Sequence, residues 1–285
     1  MAAVMATAGH GEVTAAQSAD AGVPLLQTRK LSVRFGGLVA VDAVSVSIRA
    51  GELVGIIGPN GAGKTTFFNA ISGVVQPTAG TLAVRGLELA GAKPHAFARH
   101  GVARTFQTPR VFGGMTVVAN VDFGLQFAGR RRAGAALLRN SSSILQLIGL
   151  ADRAGEPAAA ITPSQQRLLE IGMALATRPD LLLLDEVAAG LTEAELEATA
   201  RLIRRLRDEL GLAIVWIEHA VATLLRHVER VIVLHQGRKL ADATPAEVIA
   251  NAEVVEAYLG DELVGDEPVG DEPVGGVADE SGVAQ

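Results

Sequence analysis

The strongest chemical signal is the run GPNGAGKTT: Gly58, Pro59, Asn60, Gly61, Ala62, Gly63, Lys64, Thr65 and Thr66. Gly58, Gly61, Gly63, Lys64 and Thr65 satisfy the spacing G-x-x-x-x-G-K-[ST]. Glycines let successive backbone N–H groups point inward around phosphate oxygens, and a helix starting there adds positive potential at its N-terminus. A lysine at this point reaches the β and γ phosphates of a nucleotide, and the next hydroxyl can ligate Mg²⁺. The run follows the apolar stretch ELVGII and precedes FFNAISG, so a strand leads in and a helix leads out.

A second group completes such a site. In LLLLDE a buried strand brings Asp185 to its end, where a carboxylate can hold the Mg²⁺ shell. Glu186, next along, faces differently and can orient and polarise an attacking water. Gln107 in ARTFQTPR and His219 in VWIEHA are the third parts. Alone, the one reads as solvated loop surface and the other as a structural histidine. His219, however, follows another buried strand, so it and Glu186 can meet at one edge of a sheet. That edge is where a γ-phosphate would lie.

The elements that must position these residues alternate along the chain. KLSVRF and AVSVSI alternate apolar and polar residues like half-exposed antiparallel strands. ELVGII, LLLLDE and AIVWIE are continuous apolar runs, expected of strands covered on both faces of a mainly parallel sheet. Thr192 and Glu195 form a capping box for a helix over 193–210 that Gly211 ends, and TPAEVIAN opens another in the same way. Residues 108–178 read as a largely helical lobe. Within it, ITPSQQ starts a helix, which poses a question: does that start hold an anion, or only cap a helix?

Composition narrows the classes. The chain has 285 residues, 49% of them hydrophobic, ample for a packed core. No run approaches the ~18 apolar residues of a spanning helix. The N-terminus lacks the basic leader and apolar core of a signal peptide. There is no cysteine, so disulfides and thiolate sites are excluded. Residues 1–24 read as a disordered leader and 261–285 as an acidic, solvated tail built on GDELV, GDEPV and GDEPV. The net charge of −6 comes from that tail; the rest is near neutral and offers no broad basic field for nucleic acid. Arg130–Arg132 and the arginines of 201–207 read as solvated faces, and the other histidines show no metal-ligand spacing. None of the five asparagines supplies the N-K-x-D of a guanine site.

In this order, the four elements resemble the ATP-binding cassette (ABC) ATPases over about residues 26–260. GGLVAVDAVSVSI, GVARTFQ, EVAAGL and the ending AYLG resemble the subunits that energise branched-chain amino acid importers and their urea-importing relatives. The resemblance implies an α/β P-loop NTPase fold: a mainly parallel RecA-like core, an N-terminal antiparallel β subdomain and a helical lobe, within an ATPase domain at 25–260. It implies ATP and Mg²⁺ as cofactors. Phe35 would stack on adenine, Gly58 to Thr66 would be Walker A, and Thr65, Gln107 and Asp185 would serve the metal. Glu186 would be the general base, His219 the switch histidine, and AAGLT (188–192) the D-loop. The implied partners are two transmembrane permease subunits, a second cassette and, indirectly, a solute-binding protein, at the cytoplasmic face of the plasma membrane. An export-type cassette and a non-catalytic regulatory nucleotide binder are the alternatives.

The family's signature, usually L-S-G-G-Q, is matched by ITPSQ, so Thr162, Ser164 and Gln165 would face ATP held by the partner's P-loop. Ser164 replaces a glycine, where a Cβ can crowd the phosphate or oppose the backbone. Val187 replaces a proline that contributes stiffness. The expectation is asymmetric: Ser164 weakens the site built on the partner's P-loop, and this chain's own site stays competent if the partner's signature is sound.

Overall fold

The computed structural model of the chain describes residues 23–128, 137–187 and 190–259. The first 22 residues, Arg130–Arg132, the first half of the AAGLT segment and the acidic repeats lie outside these. In chain order the elements are β1 (Leu26–Phe35), β2 (Leu38–Ile48), β3 (Leu53–Ile57), α1 (Lys64–Ile71), β4 (Ala79–Val84), β5 (Leu87–Glu88), α2 (Pro94–Arg99) and β6 (Val102–Arg104). Then come α3 (Val117–Leu125), α4 (Ser141–Leu147), α5 (Pro163–Ala176), β7 (Leu181–Asp185) and α6 (Glu193–Leu210). Next are β8 (Ala213–Ile217), α7 (Val221–His227), β9 (Arg230–His235), β10 (Arg238–Ala243) and α8 (Pro245–Ala250), followed by a short helix, α9 (Ala252–Val254), and a π-helical turn (Val255–Leu259).

Two sheets form. One is antiparallel with order β2-β1-β4-β5; the other has order β10-β9-β3-β8-β7-β6 and is parallel except for β10 at its edge. All five residues of β3, β7 and β8 are buried, as the continuous apolar runs predict. The two-residue alternation of these strands then splits the interior in two. Leu53, Ile57, Leu182, Leu184, Ile214 and Trp216 face helices α3 to α7. Val54, Ile56, Leu181, Leu183, Val215 and Ile217 face α1 and the antiparallel sheet, where Phe67 and Phe68 fill the gap. The one tryptophan is fully buried and donates its Nε1–H to Glu218, 3.0 Å away, satisfying the indole's polar atom.

Between residues 105 and 180 the described chain adds no strand to either sheet; α3, α4 and α5 pack on one another there. Two hairpins carry no expectation from the sequence reading. β4–β5 turns through Arg85 and Gly86, and β9–β10 through Gln236 and Gly237, all four at positive φ. Such two-residue turns match the strand twist, and their glycine at the second position is the signal that marks them. Among the described residues no helix is long and apolar enough to cross a membrane.

Candidate nucleotide site

The loop between β3 and α1 is shaped by glycine. Gly63 sits at φ 95° at the start of α1, and a Cβ there would drive into the Ala40 carbonyl oxygen. No side chain caps α1, and its first turn holds no acid. Its first N–H groups are therefore left to a ligand, and the helix end favours an anion. Lys64 is buried, with Nζ donating to the carbonyls of Gly58 and Pro59. Asn60 to Thr66 line a cleft of about 390 Å³ together with Phe35, Leu38, Glu186 and His219. Phe35 is half exposed at the rim of this cleft, an aromatic face available for stacking.

Opposite the loop stand the residues expected at the strand ends. Gln107 Nε2 donates to Glu186 Oε2 at 2.6 Å, and His219 Nε2 lies 2.8 Å from Glu186 Oε1. Three segments far apart in sequence thus converge on one carboxylate. Glu186 has φ 49°, a left-handed conformation costly for a residue with a Cβ. Its neighbour Asp185 is buried and accepts from Arg104 Nη2 at 3.0 Å, and its N–H donates to Thr105 Oγ1. Burial pushes the Asp185 carboxyl above its usual range, and the Arg104 charge opposes that shift.

The start of α5 is a capped one. Thr162 Oγ1 accepts from Gln165 N at 3.3 Å, and the Gln165 side chain returns a bond to Thr162 N at 3.0 Å. Ser164 Oγ lies 2.9 Å from Thr162 Oγ1, at the exposed end of the helix. The two helix starts differ: α5 carries a side-chain capping box and α1 has no side-chain cap.

A model of the ABC transporter family matches residues 41–189. The chain is 41% identical over 252 residues to the high-affinity branched-chain amino acid transport ATP-binding protein LivG of Salmonella typhimurium, covering 84% of this chain and 98% of that one. The chain belongs to the ABC transporter ATP-binding family. A model of the branched-chain amino acid ATP-binding cassette transporter matches residues 238–264 of this ABC ATPase. Over 251 residues it is also 38% identical to BraF of Pseudomonas aeruginosa, a protein of the same description, with 84% and 98% covered. Among solved structures, the ADP conformation of an ATP-binding cassette of an ABC transporter is similar with TM-score 0.74 at 27% identity, covering 83% of this chain and 99% of that one.

Three residues of the ABC ATPase site escaped the sequence reading. Arg104 lies near Phe68 and Phe106, donates to Asn69 and Ser72, and pairs with Asp185. Arg167 Nη1 donates to the Glu186 carbonyl at 2.7 Å. Glu170 is buried and accepts from the backbone N–H of Phe106 at 3.3 Å and of Arg110 at 3.0 Å, either side of Gln107. A signal existed for Glu170 alone: one acid inside the apolar stretch LLEIGMALA.

Burial pushes the Glu170 carboxyl up to about 7, despite the two N–H donors that favour its ionised form. Its native pKa lies above the unfolded value, so the native state holds an extra proton between the ordinary carboxylate range and about 7. That stability is complete at the acid end and is lost as pH rises through about 7. Glu170→Gln removes the titration. Thermal melts from pH 5 to 8 should show the unsubstituted protein losing stability relative to the variant, by at most on the order of 3 kcal/mol. Parallel curves would remove Glu170 as a source of pH dependence.

Proposed function

We propose that this chain hydrolyses ATP to energise an ABC importer for branched-chain amino acids. The observation that carries it is the Glu186 carboxylate held between Gln107 and His219 on the wall of the cleft floored by the Lys64 loop. The substrate class is supported by the relatives, described as branched-chain amino acid transport ATP-binding proteins, and by the family match at residues 238–264.

Phe35 stacks on adenine, and residues 58–66 wrap the phosphates. Glu186 takes a proton from water as its oxygen bonds to the γ-phosphorus, the bridging oxygen–phosphorus bond breaks, and ADP leaves. Gln107 and His219 aim that carboxylate, and Lys64 offsets the charge on the phosphoryl oxygens. The donor set of Thr65, Gln107 and Asp185 fits a hard cation, which binds through oxygen and takes the rest of its shell from phosphates and water. Mg²⁺ held by these residues would supply neutralisation of the phosphate charge.

Thr162, Ser164 and Gln165 face ATP held by a second cassette, so each site is completed across a subunit boundary. Where the second cassette carries a glycine at the position of Ser164, the two sites are unequal. The domain spans 25–260 with its helical lobe at about 108–178, and the chain sits at the cytoplasmic face of the plasma membrane against a pair of permease subunits. A solute-binding protein delivers cargo, and this chain never touches the cargo.

The test is reconstitution with the permease subunits, the second cassette and the binding protein. Leucine, isoleucine or valine should stimulate ATP hydrolysis and enter the vesicles as ATP is consumed. Hydrolysis that ignores all three while responding to another solute would overturn the substrate class.

A further inference from the structure

Glu186 is held at each of its three polar groups. Its N–H donates to the Ile217 carbonyl at 3.0 Å, its carbonyl accepts from Arg167 at 2.7 Å, and its carboxylate meets Gln107 and His219. A non-glycine residue at φ 49° persists where its surroundings over-determine it. Of these anchors, Arg167 is the one that comes from α5. We infer that Arg167 is a positioning residue for Glu186, fastening this chain's base to the helix whose first turn carries Thr162 and Ser164. The inference rests on the roles proposed above for Glu186 and for residues 162–165.

A second contact on the same helix points the same way. Glu170 lies three positions after Arg167, on the same side of α5. It holds the backbone N–H groups of Phe106 and Arg110, which bracket Gln107. Both partners of the 2.6 Å Gln107–Glu186 hydrogen bond are therefore tied to α5 by side chains one turn apart. The helix has 14 residues and buries Leu169, Ile171 and Leu175 completely. A packed helix moves as a body, because interiors deform by discrete steps and not continuously. A displacement of its signature end by the partner's nucleotide therefore reaches this chain's Gln107 and Glu186. One ATP site would thus adjust the base of the other without a shared ligand.

The test uses the assembled transporter with Mg·ATP, and a fluorescent ATP analogue for affinity. Arg167→Met keeps the aliphatic stem and removes the donor. Its kcat should fall about tenfold to a hundredfold, the scale of a misplaced reacting group, while analogue affinity stays within about twofold. Arg167→Lys, which keeps one donor, should recover much of the loss. Glu186→Gln serves as control. If that control is inactive and Arg167→Met turns over like the unsubstituted complex, the inference fails while the reading of Glu186 survives. If Glu186→Gln hydrolyses normally, the reading of the base fails and takes the inference with it. Should Arg167→Met fail to fold, Arg167→Lys decides. A lysine variant with unchanged melting temperature and affinity but lowered kcat supports positioning, and one that loses melting temperature and affinity together with kcat overturns it.

Discussion

A transporter carrying Glu186→Gln in this chain is expected to hold Mg·ATP at this chain's site and hydrolyse it there about a hundredfold to ten-thousandfold more slowly, the usual worth of a positioned general base. The amide keeps the size of the side chain, and its oxygen can still accept from Gln107 or His219. The local geometry of the 2.6 and 2.8 Å contacts therefore has a route to survive. What is lost is the lone pair that takes the proton from water. Binding should persist because the residues around the phosphates, Gly58 to Thr66, are untouched. Retained nucleotide on the purified complex, together with the single-turnover rate, reads out both halves. A rate near that of the unsubstituted complex would move the base to another residue.

Lys64→Ala should act earlier, on binding. The lysine is buried at the start of α1, with its ammonium directed back over the carbonyls of Gly58 and Pro59 in the same loop. Removing it deletes a buried charge at the place proposed for the phosphates. Truncating one partner of a buried charge pair costs about 2–5 kcal/mol, which corresponds to a loss of ATP affinity of about thirtyfold to several thousandfold. Titration with a fluorescent ATP analogue measures it. An unchanged affinity would mean that the loop's backbone donors carry the phosphates alone, and the fall in turnover would then have to come from kcat.

The two substitutions separate because they remove different things. On the proposed roles, Lys64 would act on ground state and transition state alike, whereas Glu186 would act where the proton moves. Paired measurements of affinity and single-turnover rate should therefore place Lys64→Ala on the first axis and Glu186→Gln on the second.

Contiguous chemistry was readable from the chain alone. Gly58 to Thr66 form one unbroken run, and the conformations they need, such as φ 95° at Gly63, follow from local sterics. The capping boxes at Thr162, Thr192 and Thr244 are likewise contained within four residues each. The buried strands β3, β7 and β8 announced themselves because a strand covered on both faces reads as a near-continuous apolar run, broken in β7 only by Asp185 at its end. These facts depend on neighbours in sequence, and a sequence displays its neighbours.

That Glu186 and His219 can share a sheet edge was expected from the strands before them; the contacts themselves were decided by the folded chain. Gln107, Glu186 and His219 come together because β7 and β8 lie side by side in register, Asp185 opposite Ile217, and because the segment after β6 returns to the same edge. Arg167 carries no local signature of its role, since an arginine on an amphipathic helix looks solvated until the carbonyl it reaches is known; Glu170 stands out as one acid in an apolar stretch, but its partners Phe106 and Arg110 do not. Arg104 was equally silent, since its partners Asn69, Ser72 and Asp185 come from α1, the turn after it and β7. The physical reason is common to all three. A side chain's function is set by the atoms within about 3 Å of it, and across a sheet edge those atoms belong to residues that chain order leaves far apart.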